Sequence, residues 1–164
     1  CQSAPQEEEE VFDSQAYAEE HQLDLALVQL VHQIAETDQT FREAADTDWS
    51  KQTPLDQRNL QLMDSLRNEY GGYVGKDLVG PKLSYVMWIV VQHSTVAKMQ
   101  EYLPIVQQAV QEEQVGEVPL KMLLDRIYTN THGYQIFGSQ HGVDMGPEEF
   151  CEEIKTRYGL RNVN

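Results

Sequence analysis

Three parts of the chain carry residues that could do chemistry. The first is the stretch DRIYTNTHGYQIFGSQHG, residues 125–142, where ten positions from 133 to 142 hold three glycines, two glutamines and two aromatic rings. Asp125 and Arg126 open it, and Gln135 and Gln140 lie inside it. The second is Asp38, which falls on an otherwise apolar helical stripe about 40° around the helix from Ile34. A carboxylate there needs a partner or bears a desolvation cost, and Arg42, four residues on, is the nearest candidate in sequence. The third is the pair Gln92-His93, which continues the unbroken apolar run of residues 85–91 and so brings a polar amide and an imidazole to the edge of the interior. Histidine changes charge near neutral pH and serves as general base or acid. An arginine can clamp an oxyanion through two parallel hydrogen bonds.

Other chemistries lack their signatures. The loop GGYVGKDLVGP superficially matches a phosphate loop. Tyr70 stands where its first glycine belongs, and Asp77 where Ser or Thr must hold the metal. There is no GxSxG elbow for a nucleophilic serine and no HExxH or short Cys/His pairing for zinc. His132, His141 and Asp144 are the only grouping worth weighing as a metal site, and the sequence gives no metal or cofactor a firm claim. Cys151 shares a helical face with Phe150, Ile154 and Tyr158 and reads as a small buried hydrophobe.

The elements that must position these residues are helical. Leu23, Leu27, Leu30, Ile34 and Phe41 recur at helical spacing and predict one helix over about 14–45. A second is expected from TPLD, with Thr53 capping, Pro54 in the first turn and Gly71-Gly72 as the stop. The apolar run 85–91 reads as a helix buried all round. Residues 96–114 form another, kinked or broken at Pro104, and 119–128 a further one. The last spans 147–158 and is capped by Gly159. The expectation is an all-α single domain of five or six helices with one long irregular loop segment, about 130–146. Loops of that length are often functional.

With 27 acidic against 12 basic residues the formal net charge is −15. A surface of that sign argues against nucleic acid and against adsorption to anionic headgroups. The charge is concentrated at the start: no Lys or Arg precedes Arg42, and residues 1–41 carry ten carboxylates. The opening CQSAPQEEEE resembles a bacterial lipoprotein cleaved at its lipid-bearing cysteine. Cys1 is then the lipidation site and the membrane a partner through that lipid. The expected location is the bacterial cell envelope, at the outer membrane or cell surface. Residues 1–13 read as an acidic tether, kept extended by like-charge repulsion, and 14–164 as the folded domain.

The motifs DQTFR (38–42), LVGPKLSYVMWIVVQHS (78–94), DRIYTNTHGYQIFGSQ (125–140) and RYGL (157–160) together resemble a bacterial family known only as a domain of unknown function. Its members share DQxxR, an LVG loop before an apolar helix ending in QH, a DR segment leading to GxxQxYGTQ, and a terminal RxxxGL-like signature. Here Phe137 replaces the usual Tyr, Ser139 the usual Thr, and the last motif is compressed. The resemblance spans about residues 30–160 and implies a polar centre of Asp38, Gln39, Arg42, Gln92, His93, Asp125, Arg126, Gln135 and Gln140. It implies no activity.

Two readings of that centre follow. In one it binds a small polar ligand or a protein partner, using the ligand-binding set Asp38, Gln39, Arg42, Gln92, Gln135 and Gln140. In the other it is a hydrolase or transferase, with His93 as general base, Asp125 or another carboxylate as orienter, and Arg126 or Arg42 as anion clamp. Geometry discriminates between them. A catalytic His93 would line an open cleft beside a carboxylate, and a scaffold His93 would be buried with both ring nitrogens satisfied.

Overall fold

The computed structural model describes residues 11–42 and 47–160. Cys1 and the acidic run behind it therefore lie outside the described residues, as does Ala45, the expected end of the first helix. The described chain is all-helical and forms one domain: α1 (Ser14–His21), α2 (Leu25–Gln39), α3 (Trp49–Tyr70), α4 (Lys76–Leu83), α5 (Val86–Gln92), α6 (Val96–Gln111), α7 (Glu117–His132) and α8 (Glu148–Arg157). Among the described residues the helices number eight, not five or six, because the first expected helix is two and one expected loop is helical.

The first expected helix is two. Gln22 adopts a left-handed conformation at φ 55° and closes α1, and the Asp24 carboxylate caps α2 by accepting from Leu27 N–H at 2.8 Å. The loop after α3 contains α4, whose helical path is broken at Gly80 (φ 75°). A side chain there would collide with the Tyr17 hydroxyl. That hydroxyl stitches the break by donating to the Val79 carbonyl at 3.2 Å and accepting from Lys82 N–H at 3.0 Å.

Helix α3 begins at Trp49, five residues before Pro54, so the expected TPLD cap is not its start. The upstream turn forms because Gln52 is wholly buried against the end of α2. Its amide N–H group donates to the carbonyls of Thr37 (3.3 Å) and Asp38 (3.1 Å), and its oxygen accepts from Phe41 N–H at 3.0 Å. Those bonds answer backbone groups that a helix C-terminus leaves open. Helix α6 runs through Pro104 as one element and ends at Gln111, short of the expected 114. Helix α7 continues to His132, one turn beyond expectation, so the irregular segment starts at the left-handed Gly133.

Helix α5 is the centre. Val86, Met87, Val90 and Val91 are buried, and α2, α3, α6 and α7 all pack on it. A smaller cluster of Ile136, Cys151 and Ile154 sits under the 133–147 segment, with Tyr128, Tyr134 and Phe150 around it. Cys151 is buried there as its helical spacing suggested. No described helix is long and apolar enough to cross a membrane.

Candidate functional site

The nine residues of the expected polar centre divide into two groups. Asp125 is wholly buried on α7 and spends both carboxylate oxygens on backbone. One accepts from Ile136 N–H and Phe137 N–H, each at 2.7 Å, and the other from Ser139 N–H at 2.8 Å. Gln135 completes the same device. Its amide nitrogen donates to the carbonyls of Gln140 (3.0 Å) and Val143 (2.6 Å), and its oxygen accepts from Gln140 N–H at 2.7 Å. Its own backbone bridges to Asp144 and Gly146. Asp125, Gln135 and Gln140 thus hold a loop in shape. Among the described residues the Gln140 side chain reaches only Ser139 Oγ, at 3.2 Å.

The second group surrounds a cleft of about 430 Å³ whose lining includes Arg42, Trp49, Gln92, His93 and Arg126. Adjacent residues on a helix point about 100° apart, which is why Arg126 faces this cleft while Asp125 faces the loop. Behind His93 lies Asp38, wholly buried, with its oxygens 3.0 and 3.1 Å from the ring's Nδ1. Gln39 donates to Asp38 at 2.6 Å. The expected partner, Arg42, does not bond Asp38. Helix α2 ends at Gln39, so Arg42 sits in a turn rather than at i+4. Its Nη2 pairs with Asp56 at 2.7 Å and its Nε lies 3.2 Å from His93 Nδ1. Asp56 in turn accepts from Gln52 at 2.7 Å.

His93 Nδ1 therefore has an acceptor and a donor within reach and can answer only one. A proton on Nδ1 serves the buried carboxylate, whose other donor is Gln39, and leaves Nε2 as an open base. Nε2 has no partner among the described residues, and the side chain is 16% exposed. His93 thus lines an open cleft beside a carboxylate.

The cleft also holds a hydrogen-bond deficit. Arg42 Nη1, Gln92 Oε1 and Arg126 Nε are sealed from solvent and have no partner among the described residues. Such groups each cost about 1–3 kcal/mol. Arg126 donates through Nη1 to the Gln92 carbonyl at 3.1 Å and meets no carboxylate among the described residues. Burial, then the charge of Arg42, lowers its guanidinium pKa from the ordinary value. A cation in that setting favours an incoming anion. By contrast, a larger depression of about 550 Å³ beside α3 and α6 has its Arg67 already paired with Glu101 at 2.7 Å.

Gln52, Asp56 and Trp49 belong to this site but carry no site signal in the sequence, where Asp56 reads only as completing the TPLD cap. Gln52 and Asp56 sit on the first turns of α3, where the capping pattern at TPLD pointed to a helix start instead. His132 packs on Tyr134 and Phe150 and bonds Thr131. Among the described residues no three His, Cys, Asp or Glu side chains gather as a metal site. Ser94 Oγ donates to the Val91 carbonyl at 2.5 Å. Comparison of the chain with protein-family models, with curated proteins and with solved structures gives no match.

Proposed function

We propose that this domain binds a small anionic ligand in the Arg42–Gln92–His93–Arg126 cleft, and does so at a bacterial envelope membrane to which Cys1 tethers it by a lipid. Membership of the uncharacterised family suggested by DQTFR, the QH helix and GYQIFGSQ is part of this reading. The observation that carries the ligand assignment is Arg126, a half-buried guanidinium with a sealed unpaired Nε, a charge neighbour in Arg42 and no carboxylate partner among the described residues. A cationic site that is destabilising when empty gains on binding what it lacks in the free protein. The acidic surface elsewhere keeps the site selective for small anions over polyanions.

The test is calorimetric titration with acetate and inorganic phosphate. The intact chain should bind at least one of them saturably. Arg126→Gln should weaken that binding at least about tenfold, the loss of one charge-assisted contact. If neither anion binds, or if Arg126→Gln binds as well as the parent, the reading fails. The membrane assignment is tested by intact-mass analysis of the native protein, where a Cys1 bearing no acyl mass refutes it.

One observation favours the hydrolase or transferase reading of the same cleft: the carboxylate–imidazole pair Asp38–His93 with Nε2 open. There His93 Nε2 takes a proton from water as that water attacks the phosphorus of a bound phosphate monoester; the P–O bond to the alcohol breaks, and the imidazolium returns the proton to the departing oxygen. Hydrolysis of nitrophenyl phosphate, abolished in His93→Gln, is the required signal. Equal rates in the two proteins would sink it.

A further inference from the structure

The cleft is polar at its floor and aromatic at its lip. Trp49, first residue of α3, lines it and is 61% exposed, an unusual placement for the largest side chain. The Arg42 guanidinium stands over the ring at 5.7 Å, which fixes the indole against the anion site. Most of the ring surface remains open. Around it stand groups that bond hydroxyls: Thr47 and Asn130 on the walls, and the Gln92 amide, whose nitrogen has no partner among the described residues. Asn130 is held by its own nitrogen donating to the Arg126 carbonyl at 2.7 Å, which leaves its oxygen as an acceptor. The cleft volume of about 430 Å³ lies within the range of about 300–1,000 Å³ usual for small-molecule sites.

Resting on the anion-binding reading above, we infer that the ligand is a sugar acid: a hydroxylated ring whose apolar face lies on Trp49 and whose carboxylate reaches Arg126. An aromatic acid would stack as well but would leave the hydroxyl-bonding walls unanswered. A free anion such as acetate would leave the indole uncovered. A neutral sugar would leave the Arg126 guanidinium uncompensated, since Arg42 already pairs with Asp56. Each half of the site thus selects one feature of the same molecule, and specificity arises because the mismatched analogue strands polar groups.

The experiment follows tryptophan emission and calorimetry during titration with glucuronate, glucose, benzoate and acetate. The chain has two tryptophans, and Trp88 is buried, so the exposed Trp49 is the responsive one. Glucuronate should change the emission saturably and bind more tightly than acetate, while glucose should not bind. Trp49→Ala removes an exposed side chain and should leave the fold intact. It should weaken glucuronate roughly three- to tenfold, the range of an aromatic contact, and weaken acetate by less. Arg126→Gln should weaken both. If acetate binds through Arg126 but glucuronate binds no tighter, or if Trp49→Ala changes neither, the sugar-acid inference falls and anion binding stands. Benzoate binding more tightly than glucuronate overturns the hydroxylated ring in favour of an aromatic one. Binding of none of the four overturns the sugar acid, and overturns anion binding too if inorganic phosphate also fails to bind.

Discussion

Asp38 and Asp125 are both wholly buried carboxylates on neighbouring parts of one helical domain, and they are used in opposite ways. Asp125 is answered by three backbone N–H groups from a single loop. Backbone donors cannot ionise or change rotamer, so this arrangement has one state and its product is shape. Asp38 is answered by side chains, His93 and Gln39, and His93 is also within reach of Arg42. Side-chain donors can exchange protons and partners. The loop region is closed in hydrogen bonding, whereas the cleft keeps three sealed polar atoms without a partner among the described residues. A satisfied polar network specifies structure; a deficit beside a cavity marks a place where something else completes the set.

The sharpest way to break this contrast is Asp125→Ala. It strands three N–H groups at once and should cost about 3 kcal/mol or more. For a domain of this size that is a melting-temperature drop of roughly 6–12 °C. Anion affinity at the cleft should be unchanged in the surviving folded protein. A loss below about 1 kcal/mol would show that the loop holds its shape without the carboxylate.

Arg126→Gln is the counterpart. It removes a half-buried cation with no carboxylate partner among the described residues, and its repulsion from Arg42, so stability should be unchanged or higher by up to about 1 kcal/mol. A drop of 1 kcal/mol or more, on the scale of ordinary destabilising substitutions, would place Arg126 with the structural group. The two substitutions should therefore separate stability from binding in opposite directions.

The smallest effect is expected at the exposed ion pairs between α3 and α6, a reference for both regions. Hydrogen bonds from Lys98, then from Arg67, hold the Glu101 carboxyl below its ordinary pKa. A depressed folded pKa means that the contribution is present above the unfolded value, about 4.3. It is lost as pH falls below that value through the folded one. Solvent screens this site, so Glu101→Gln should cost only a few tenths of a kcal/mol near neutral pH, less at high salt and nothing at low pH. A larger, salt-independent cost would mean that the exposed pairs do structural work comparable with the loop.

What the sequence determined by itself was local. The periodicity of apolar residues set the helical class, the run at 85–91 set a central helix that is buried except at its N-cap Tyr85 (39% exposed) and half-buried Ile89, and Gly71 and Gly159 marked helix ends, because these signals act within a few residues of chain. It also fixed that Asp38 needs a partner, since its place on the apolar stripe follows from helical geometry. Tertiary structure alone decided who that partner is. Arg42 was nearer in sequence, but α2 stops at Gln39 and brings Asp38 against His93, 55 residues away, while Arg42 turns to Asp56. It decided the fate of the glutamines too, Gln135 tying a loop and Gln52 closing the end of α2, because an amide's role depends on which backbone groups packing leaves unpaired. And it divided Asp125 from Arg126. The two are neighbours in sequence, but one helical step turned one carboxylate into the loop and one guanidinium into the cleft.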